Sequence, residues 1–300
     1  MIYTVTLNPS LDYVMHLDQM NAHCVNRSNK EEIYPGGKGI NVSIVLNNLR
    51  IPNKALGFIA GFTGKEIENV MKQLGGDTDF ILLDRGISRI NVKLEADKET
   101  EINGMGPQIT PSDLKDLYVK LEQIEEGDFL VLAGSIPKSV PDSIYKDIMK
   151  MLANKNINVV VDATKDLLLN VLQYKPFLIK PNHIELAEMF NVTLNSDDDI
   201  VTYARKLQEM GAQNVLISMG GDGSILITNE GEVVKISVPE GTVINTVGSG
   251  DSMVAGFIAG YLKTKDLKQA LKFATATGSA TAFSTWLATS DKIDDLLSKL

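Results

Sequence analysis

A single cysteine, Cys24, stands among 300 residues. That excludes an internal disulfide, argues against a cysteine-built metal site and suits a reducing, cytoplasmic compartment. No apolar run approaches the roughly 20 residues that span a bilayer. The opening stretch from Met1 to Leu7 lacks the basic start and small-residue cleavage site of a signal peptide, and it reads as a strand of the mature protein. Positive charge is scarce as well. The formal net charge of −9 argues against non-specific nucleic-acid binding, which needs an electropositive face. An anionic ligand would therefore have to draw on a few local cations and on backbone N–H groups.

Several catalytic signatures are also missing. Gly37-Lys38 is followed by Gly39, and Gly64-Lys65 by Glu66, so there is no Walker A loop. The dinucleotide fingerprint fails twice, at Val42 and at Met253, which counts against a nicotinamide-dependent oxidoreductase. His16, His23 and His183 share no metal-ligand spacing, and no Ser-His-Asp order suggests a hydrolase. The histidines read as ordinary surface or core residues, and Cys24 as a small packed hydrophobe.

What is present is 44% hydrophobic content, enough for one large core or two modest ones, with no repeat, low-complexity tract or linker to divide the chain. A single domain over residues 1–300 is expected. Short apolar runs at 2–7, 55–60, 129–133, 157–162, 177–180 and 214–219 read as strands. Helix-period stretches at 39–50, 64–74, 111–124, 141–154, 182–190 and 197–211 lie between them. Runs such as Asn158-Val159-Val160-Val161 suit strands buried on both faces, hence a doubly wound α/β fold: a mostly parallel sheet flanked by helices. Ligands in such folds bind at the carboxyl ends of the strands. Residues 12–34 and 88–103 break the βα rhythm and read as a small β-strand lid over a site. From Asp251 the chain reads as helical almost to Leu300, with small residues that permit close helix packing.

Two glycine-rich turns carry the chemistry. Asn245-Thr246-Val247-Gly248-Ser249-Gly250-Asp251 runs from an extended segment into a helix. Its glycine pair lets consecutive backbone N–H groups of Gly248, Ser249 and Gly250 point at one anion, helped by the positive end of the helix dipole. Fixed donors of this kind stabilise a transferring phosphoryl group, and Asp251 is suitably near to accept a proton from an attacking hydroxyl. The plainer reading is a helix-stabilising Asp after a tight turn. Pro35-Gly36-Gly37-Lys38-Gly39-Ile40-Asn41-Val42 repeats the design, with Lys38 for an anionic group and Asn41 able to donate and accept; it too reads alternatively as a plain turn. Asn182 and Glu185 have the spacing of a capping box.

The pair of motifs, GGKGxN early and TVGSGD late, resembles the two signatures of the PfkB (ribokinase-like) carbohydrate kinases, and the similarity covers essentially the whole chain. Thr6-Leu7-Asn8-Pro9-Ser10-Leu11-Asp12, Ala133-Gly134-Ser135-Ile136-Pro137, Lys180-Pro181-Asn182 with Glu185, and Ser218-Met219-Gly220-Gly221-Asp222-Gly223 are similar to further elements of the hexose-phosphate branch. The resemblance implies an ATP-dependent kinase with Asp251 as general base beside the Gly248, Ser249 and Gly250 anion hole. It implies that Asp12, Gly37, Lys38 and Asn41 bind the sugar, with Arg89, Lys93, Lys38 and Arg27 available for its phosphate. Lys180, Asn182, Glu185, Ser218, Gly220 and Gly223 would serve the nucleotide, and Glu185 would act on Mg²⁺ through water.

Arg89-Ile90-Asn91-Val92-Lys93 is similar to the string in those members that act on fructose 1-phosphate. It tips the expectation to that acceptor, phosphorylated at O6, over tagatose 6-phosphate. A homodimer through the lid is implied too. A non-catalytic sugar-phosphate sensor is the reading from another class, and it should have lost Asp251 or a glycine of the hole. Ser88, where the branch often has Thr, is a mild departure. Trp286 is a larger one, standing where glycine is expected, and it bears on the shape of its loop.

Overall fold

The computed structural model describes residues 1–300. Along the chain the first strands are β1 (Ile2–Thr6), β2 (Ser10–His16), β3 (Lys30–Gly36), β4 (Asn53–Ala60), β5 (Asp77–Thr78), β6 (Ile81–Leu83), β7 (Arg89–Glu95) and β8 (Thr100–Asn103). They are followed by β9 (Phe129–Ala133), β10 (Asn158–Asp162), β11 (Leu178–Ile179), β12 (Asn214–Ser218), β13 (Ser224–Ile227) and β14 (Val233–Ile236). The helices are α1 (Lys38–Asn48), α2 (Gly61–Gln73), α3 (Pro111–Leu121), α4 (Ile144–Leu152), α5 (Lys165–Leu169), α6 (His183–Phe190), α7 (Asp197–Glu209), α8 (Ser249–Thr264), α9 (Leu267–Ala282) and α10 (Ser290–Leu297).

The main sheet has the order β14-β13-β12-β11-β10-β9-β1-β4-β5, with β6 also on β4. Its pairings are parallel except at β12–β13 and β13–β14. Its central strands are buried on both faces, and alternation sends successive side chains to opposite cores. Leu130 and Leu132 of β9 join a core of 37 buried residues, while Phe129, Val131 and Ala133 join one of 35 on the other face. Strands β10 and β12 divide in the same way. At about 25 cal/mol per Å² of apolar surface, burial in these two cores is the main force holding the sheet to its helices.

On one of those faces α8 and α9 pack so closely that glycine is required. A Cβ on Gly256 would lie 2.5 Å from Thr277 Oγ1, and one on Gly260 would lie 2.8 Å from Phe273 Cβ. The antiparallel β13–β14 hairpin has no counterpart in the sequence reading, and the C-terminal region is three helices rather than one continuous stretch. No helix is long and apolar enough to cross a membrane.

Strands β3, β2, β7 and β8 form a separate four-stranded sheet in that order. Between β2 and β3 the chain makes no strand, and Cys24 is exposed there rather than packed. The carboxyl ends of β1, β9, β10, β11 and β12 open towards one cleft, which the smaller sheet flanks.

Candidate active site

The glycine turn before α8 adopts a shape that a Cβ would forbid. Gly248 has φ +78°, and a Cβ there would also meet Leu287 Cδ2 at 2.7 Å. The helix starts with Ser252 N–H donating to Gly248 O at 2.8 Å, while the N–H groups of Gly248, Gly250 and Asp251 take no protein acceptor. Ser249 departs from the sequence expectation: its N–H is spent on Thr246 O at 3.1 Å. The open donors are thus those of Gly248, Gly250 and Asp251, at the positive end of the α8 dipole.

Asp251 is only 6% exposed, and its exposed edge lines a cleft of about 590 Å³. Asn41 Nδ2 donates to its Oδ2 at 2.8 Å, while Oδ1 takes no protein donor. Asn41 reaches it from the first turn of α1, which begins at Gly37 with φ +115°. A Cβ on Gly39 would lie 2.5 Å from Thr6 Oγ1, so glycine there lets α1 sit against β1. Gly37 and Lys38 line the same cleft.

Beneath Asp251 lies a residue the sequence reading passed over. Asp162, the last residue of β10, is 2% exposed; Lys38 Nζ donates to it at 3.1 Å, and Lys180 Nζ lies 3.6 Å away. A Cβ on Gly250 would be 3.0 Å from Lys180 Nζ, which puts that ammonium against the open amides. Two carboxylates and two ammonium groups therefore meet at the floor of the cleft, three of them buried and Lys38 with its side chain 37% exposed. Burial drives Asp251 up to about 6, and Asp162 adds to the rise against the pull of Lys38, Asn41 and Lys180. Burial acts on Asp162 in the same direction, but Lys180 and Lys38 outweigh it and hold that carboxyl below its usual range. Lys38 is raised: its burial works against the charge, and Asp162 and Asp251 more than offset it.

The smaller sheet brings a second polar group. Asp12 Oδ1 accepts from Ser10 Oγ at 2.7 Å and Asn91 Nδ2 at 2.9 Å, and its Oδ2 pairs with Lys93 Nζ at 3.1 Å. Lys93 is thus committed to carboxylates, with Glu101 a further 3.8 Å contact. Arg89 is different. Its Nε donates to Asn8 O at 3.0 Å, it has no carboxylate partner, and it lines the 590 Å³ cleft. Burial holds its proton affinity below the usual guanidinium range, against the pull of Asp12. Arg27 lies exposed in the β2–β3 connection and lines neither the cleft nor the smaller cavities beside it, so the structure does not bring it to the others.

On the other side of Gly250 is a cavity of about 220 Å³. Ser218, Gly220 and Gly223 border it from the end of β12, and Thr275, Gly278 and Ser279 of α9 from the opposite wall. Lys180, Asn182 and Glu185 line the larger cleft. The capping box is real: Asn182 Oδ1 accepts from Glu185 N–H at 2.8 Å, and Glu185 Oε2 accepts from Asn182 N–H at 2.9 Å. Capping uses one Glu185 oxygen and leaves Oε1 without a protein donor. No group of three or more His, Cys, Asp or Glu side chains is spaced to hold a metal ion. One free carboxylate oxygen at the cleft edge fits a hydrated Mg²⁺ that is held mainly by phosphates.

A family model described as pfkB family carbohydrate kinase matches residues 5–292. The 1-phosphofructokinase of Bacillus subtilis (strain 168) is 46% identical over 297 residues, covering 99% of this chain and 97% of that protein. The D-tagatose-1-phosphate kinase of Bacillus licheniformis is 37% identical over 301 residues, 100% of this chain and 98% of that one. Among solved structures, phosphofructokinase-2 from Escherichia coli in complex with substrates and products superposes with a TM-score of 0.94 at 25% identity, covering 99% of this chain and 98% of that one.

Proposed function

The chain belongs to the pfkB family of carbohydrate kinases, a phosphotransferase with an alcohol acceptor, and on that premise we propose that it phosphorylates fructose 1-phosphate at O6 with ATP, giving fructose 1,6-bisphosphate. The observation that carries this reading is the Asp251 carboxylate, held by Asn41 at 2.8 Å with its other oxygen open to the cleft, next to N–H groups with no protein acceptor.

In this reading Asp251 Oδ1 takes the proton of the acceptor hydroxyl as the new O–P bond forms and the bond from the γ-phosphorus to the β–γ bridging oxygen breaks, releasing ADP. The amides of Gly248, Gly250 and Asp251, with Lys180 beside them, stabilise the charge on the group in flight. Their orientation is fixed before reaction, so no reorganisation is needed at the transition state. Arg89, the cleft cation without a carboxylate partner, holds the acceptor's phosphate; Asp12, Asn41, Gly37 and Lys38 orient its hydroxyls. Ser218, Gly220 and Gly223 border the nucleotide pocket, and Lys180, Asn182 and Glu185 face the triphosphate. ATP with Mg²⁺ supplies the phosphoryl group with its charge partly neutralised, and Glu185 would hold the ion through water. The exposed Cys24 thiol is compatible with a reducing cytoplasm.

The relative named for tagatose is named for a 1-phosphate, as is the 1-phosphofructokinase, which does not favour a 6-phosphate acceptor. A panel of fructose 1-phosphate, tagatose 1-phosphate, tagatose 6-phosphate and fructose 6-phosphate with ATP and Mg²⁺, read as ADP release, tests this. Fructose 1-phosphate should have the highest kcat/KM, and a lead by either 6-phosphate would overturn the assignment. Binding of fructose 1-phosphate without ADP release would favour a sensor.

The smaller sheet is proposed as a lid that also carries a dimer contact. Across its back the ladders align Ile33, Tyr13, Val92 and Ile102 in one apolar row, with Ile33 51% and Ile102 60% exposed. A second copy is the natural cover for such a row. The Ile33→Glu, Ile102→Glu double variant should be monomeric by light scattering where the parent chain is a dimer. A monomeric parent chain at micromolar concentration would end the proposal.

A further inference from the structure

Between α9 and α10 the chain passes from the catalytic turn to the smaller sheet within a few residues. Leu287 is buried against Gly248, with its Cδ2 where a Cβ on that glycine would come within 2.7 Å. Ala288 is tied down on both sides: its N–H donates to Thr281 Oγ1 at 3.1 Å, and its carbonyl accepts from Asn48 Nδ2 at 2.8 Å. Thr285 O accepts from Asn245 Nδ2 at 3.3 Å, and Asn245 Oδ1 accepts from Val247 N–H at 2.9 Å. This segment is thus fixed to the residues that precede α8.

Trp286, in the middle of it, reaches across and stacks on Tyr34, with ring centroids 4.7 Å apart and planes 17° from parallel. Tyr34 is opposite Asp12 in the β2–β3 ladder, so the two side chains share a face. The tyrosine is not a loose partner. Its hydroxyl donates to Glu32 Oε1 at 2.6 Å; Glu32 Oε2 lies 2.8 Å from His16 Nε2, and His16 Nδ1 lies 3.1 Å from Glu95 Oε2. That series crosses β3, β2 and β7, so the Tyr34 ring moves only with the sheet. Below the stack is a cavity of about 110 Å³ bordered by Asp12, Lys93, Asn41 and Val247. The last two border the catalytic cleft as well.

We propose that Trp286 is a positioning residue: its stack on Tyr34 keeps the Asp12 face of the smaller sheet aligned with the catalytic turn, so that both hold one acceptor. The inference rests on the kinase reading above, though not on which ketohexose phosphate is the acceptor. A purely structural tryptophan would affect stability without singling out acceptor binding.

The test compares Trp286→Ala, Trp286→Phe and Tyr34→Leu, alone and with Trp286→Ala and Tyr34→Leu combined. Fructose 1-phosphate is the acceptor, or whichever sugar of the panel the parent enzyme uses best. An aromatic pair of this kind is worth about three- to tenfold in an equilibrium. Trp286→Ala should therefore raise KM for the acceptor by about that factor, with kcat and KM for ATP within about twofold. Trp286→Phe should restore it, and the double variant should be no worse than the more affected single one. An unchanged acceptor KM, equal shifts in both KM values, or a double variant equal to the product of the singles would each overturn the proposal.

Since Trp286 is the only tryptophan, the parent enzyme offers a second readout that needs no variant. Its emission should change as the acceptor saturates, and constant emission would count as failure. A panel in which no sugar is turned over would instead defeat the kinase reading itself.

Discussion

The catalytic turn and the inner face of the smaller sheet are both built from carboxylates interleaved with cations, yet they hold them in opposite ways. At the turn, Asp251, Asp162, Lys38 and Lys180 come from α8, β10, α1 and the end of β11, and Asp162 and Lys180 have side chains only 2% and 6% exposed. On the sheet, Asp12 and Lys93 are 15% and 13% exposed, His16 and Glu32 more so, and all are near neighbours in adjacent strands. Burial at the turn moves proton affinities, which proton transfer needs. On the sheet, hydrogen bonds from Tyr34 and His16 hold Glu32 below the usual carboxylate range, the opposite direction to Asp251, and the ladder fixes the direction and spacing that recognition needs. Each arrangement should fail in its own way when one charge is removed.

The largest effect is expected at the turn. Asp251→Asn keeps the shape and removes the base, so kcat should fall by about 10²- to 10⁴-fold. ATP affinity by calorimetry should stay within about twofold, because no nucleotide contact is assigned to that side chain. Near-normal turnover would take Asp251 out of the role and dissolve the contrast with the sheet.

At the sheet edge the loss should appear in binding. Arg89→Met removes the one cleft cation that no carboxylate claims. A charge-assisted hydrogen bond is worth about 1.5–3 kcal/mol, so KM for fructose 1-phosphate should rise about 10- to 100-fold while kcat changes little. An equal fall in kcat would mean that Arg89 acts on the transition state, and the division between turn and sheet would need redrawing.

The two regions were not equally legible in the sequence. Strands β9, β10 and β12 could be read from their apolar runs because burial on both faces leaves no other composition open to them. The β13–β14 hairpin escaped although Ile225-Leu226-Ile227 and Val233-Val234-Lys235-Ile236 are mostly apolar and β-branched, because each strand is only four residues long and falls outside the βα alternation. The glycine turns stood out since few other reasons put two glycines directly before a helix. Asp162 was missed because its partners Lys38 and Lys180 lie 124 and 18 residues away; the pairing of β10 with β11 brings Lys180 to it, and the start of α1 brings Lys38. Its one signal was a carboxylate closing an otherwise apolar buried run. Arg27 was a candidate by charge alone, and charge does not say which way a loop leaves a sheet. Trp286 looked like a misfit in its loop, and the ring that accommodates it, Tyr34, is far away in sequence.

The smallest effect is one of stability, and its sign separates the two regions most sharply. Asp251 sits at about 6 in the folded protein against 3.8 as its ordinary value. A carboxyl raised on folding binds its proton more tightly in the native state, so its contribution to stability is fully present below about pH 4. That contribution is lost as pH rises through about 6, because the native state must then hold a desolvated charge. At pH 8 the cost should be about 1–3 kcal/mol, taking roughly 1.4 kcal/mol per pKa unit as the upper scale. Asp251→Asn should accordingly be more stable than the parent chain in urea titrations at pH 8, and the gap should close below pH 4. Over the same interval kcat/KM of the parent enzyme should fall about tenfold per pH unit below 6, as the base is protonated. A sheet-side change such as Asp12→Asn should show no such gain at pH 8, because Asp12 is paired and hydrogen-bonded at the sheet surface. If Asp251→Asn proved less stable at pH 8, Lys38 and Lys180 would depend on that carboxylate more than burial opposes it, and the turn would be held together by the same pairing logic as the sheet.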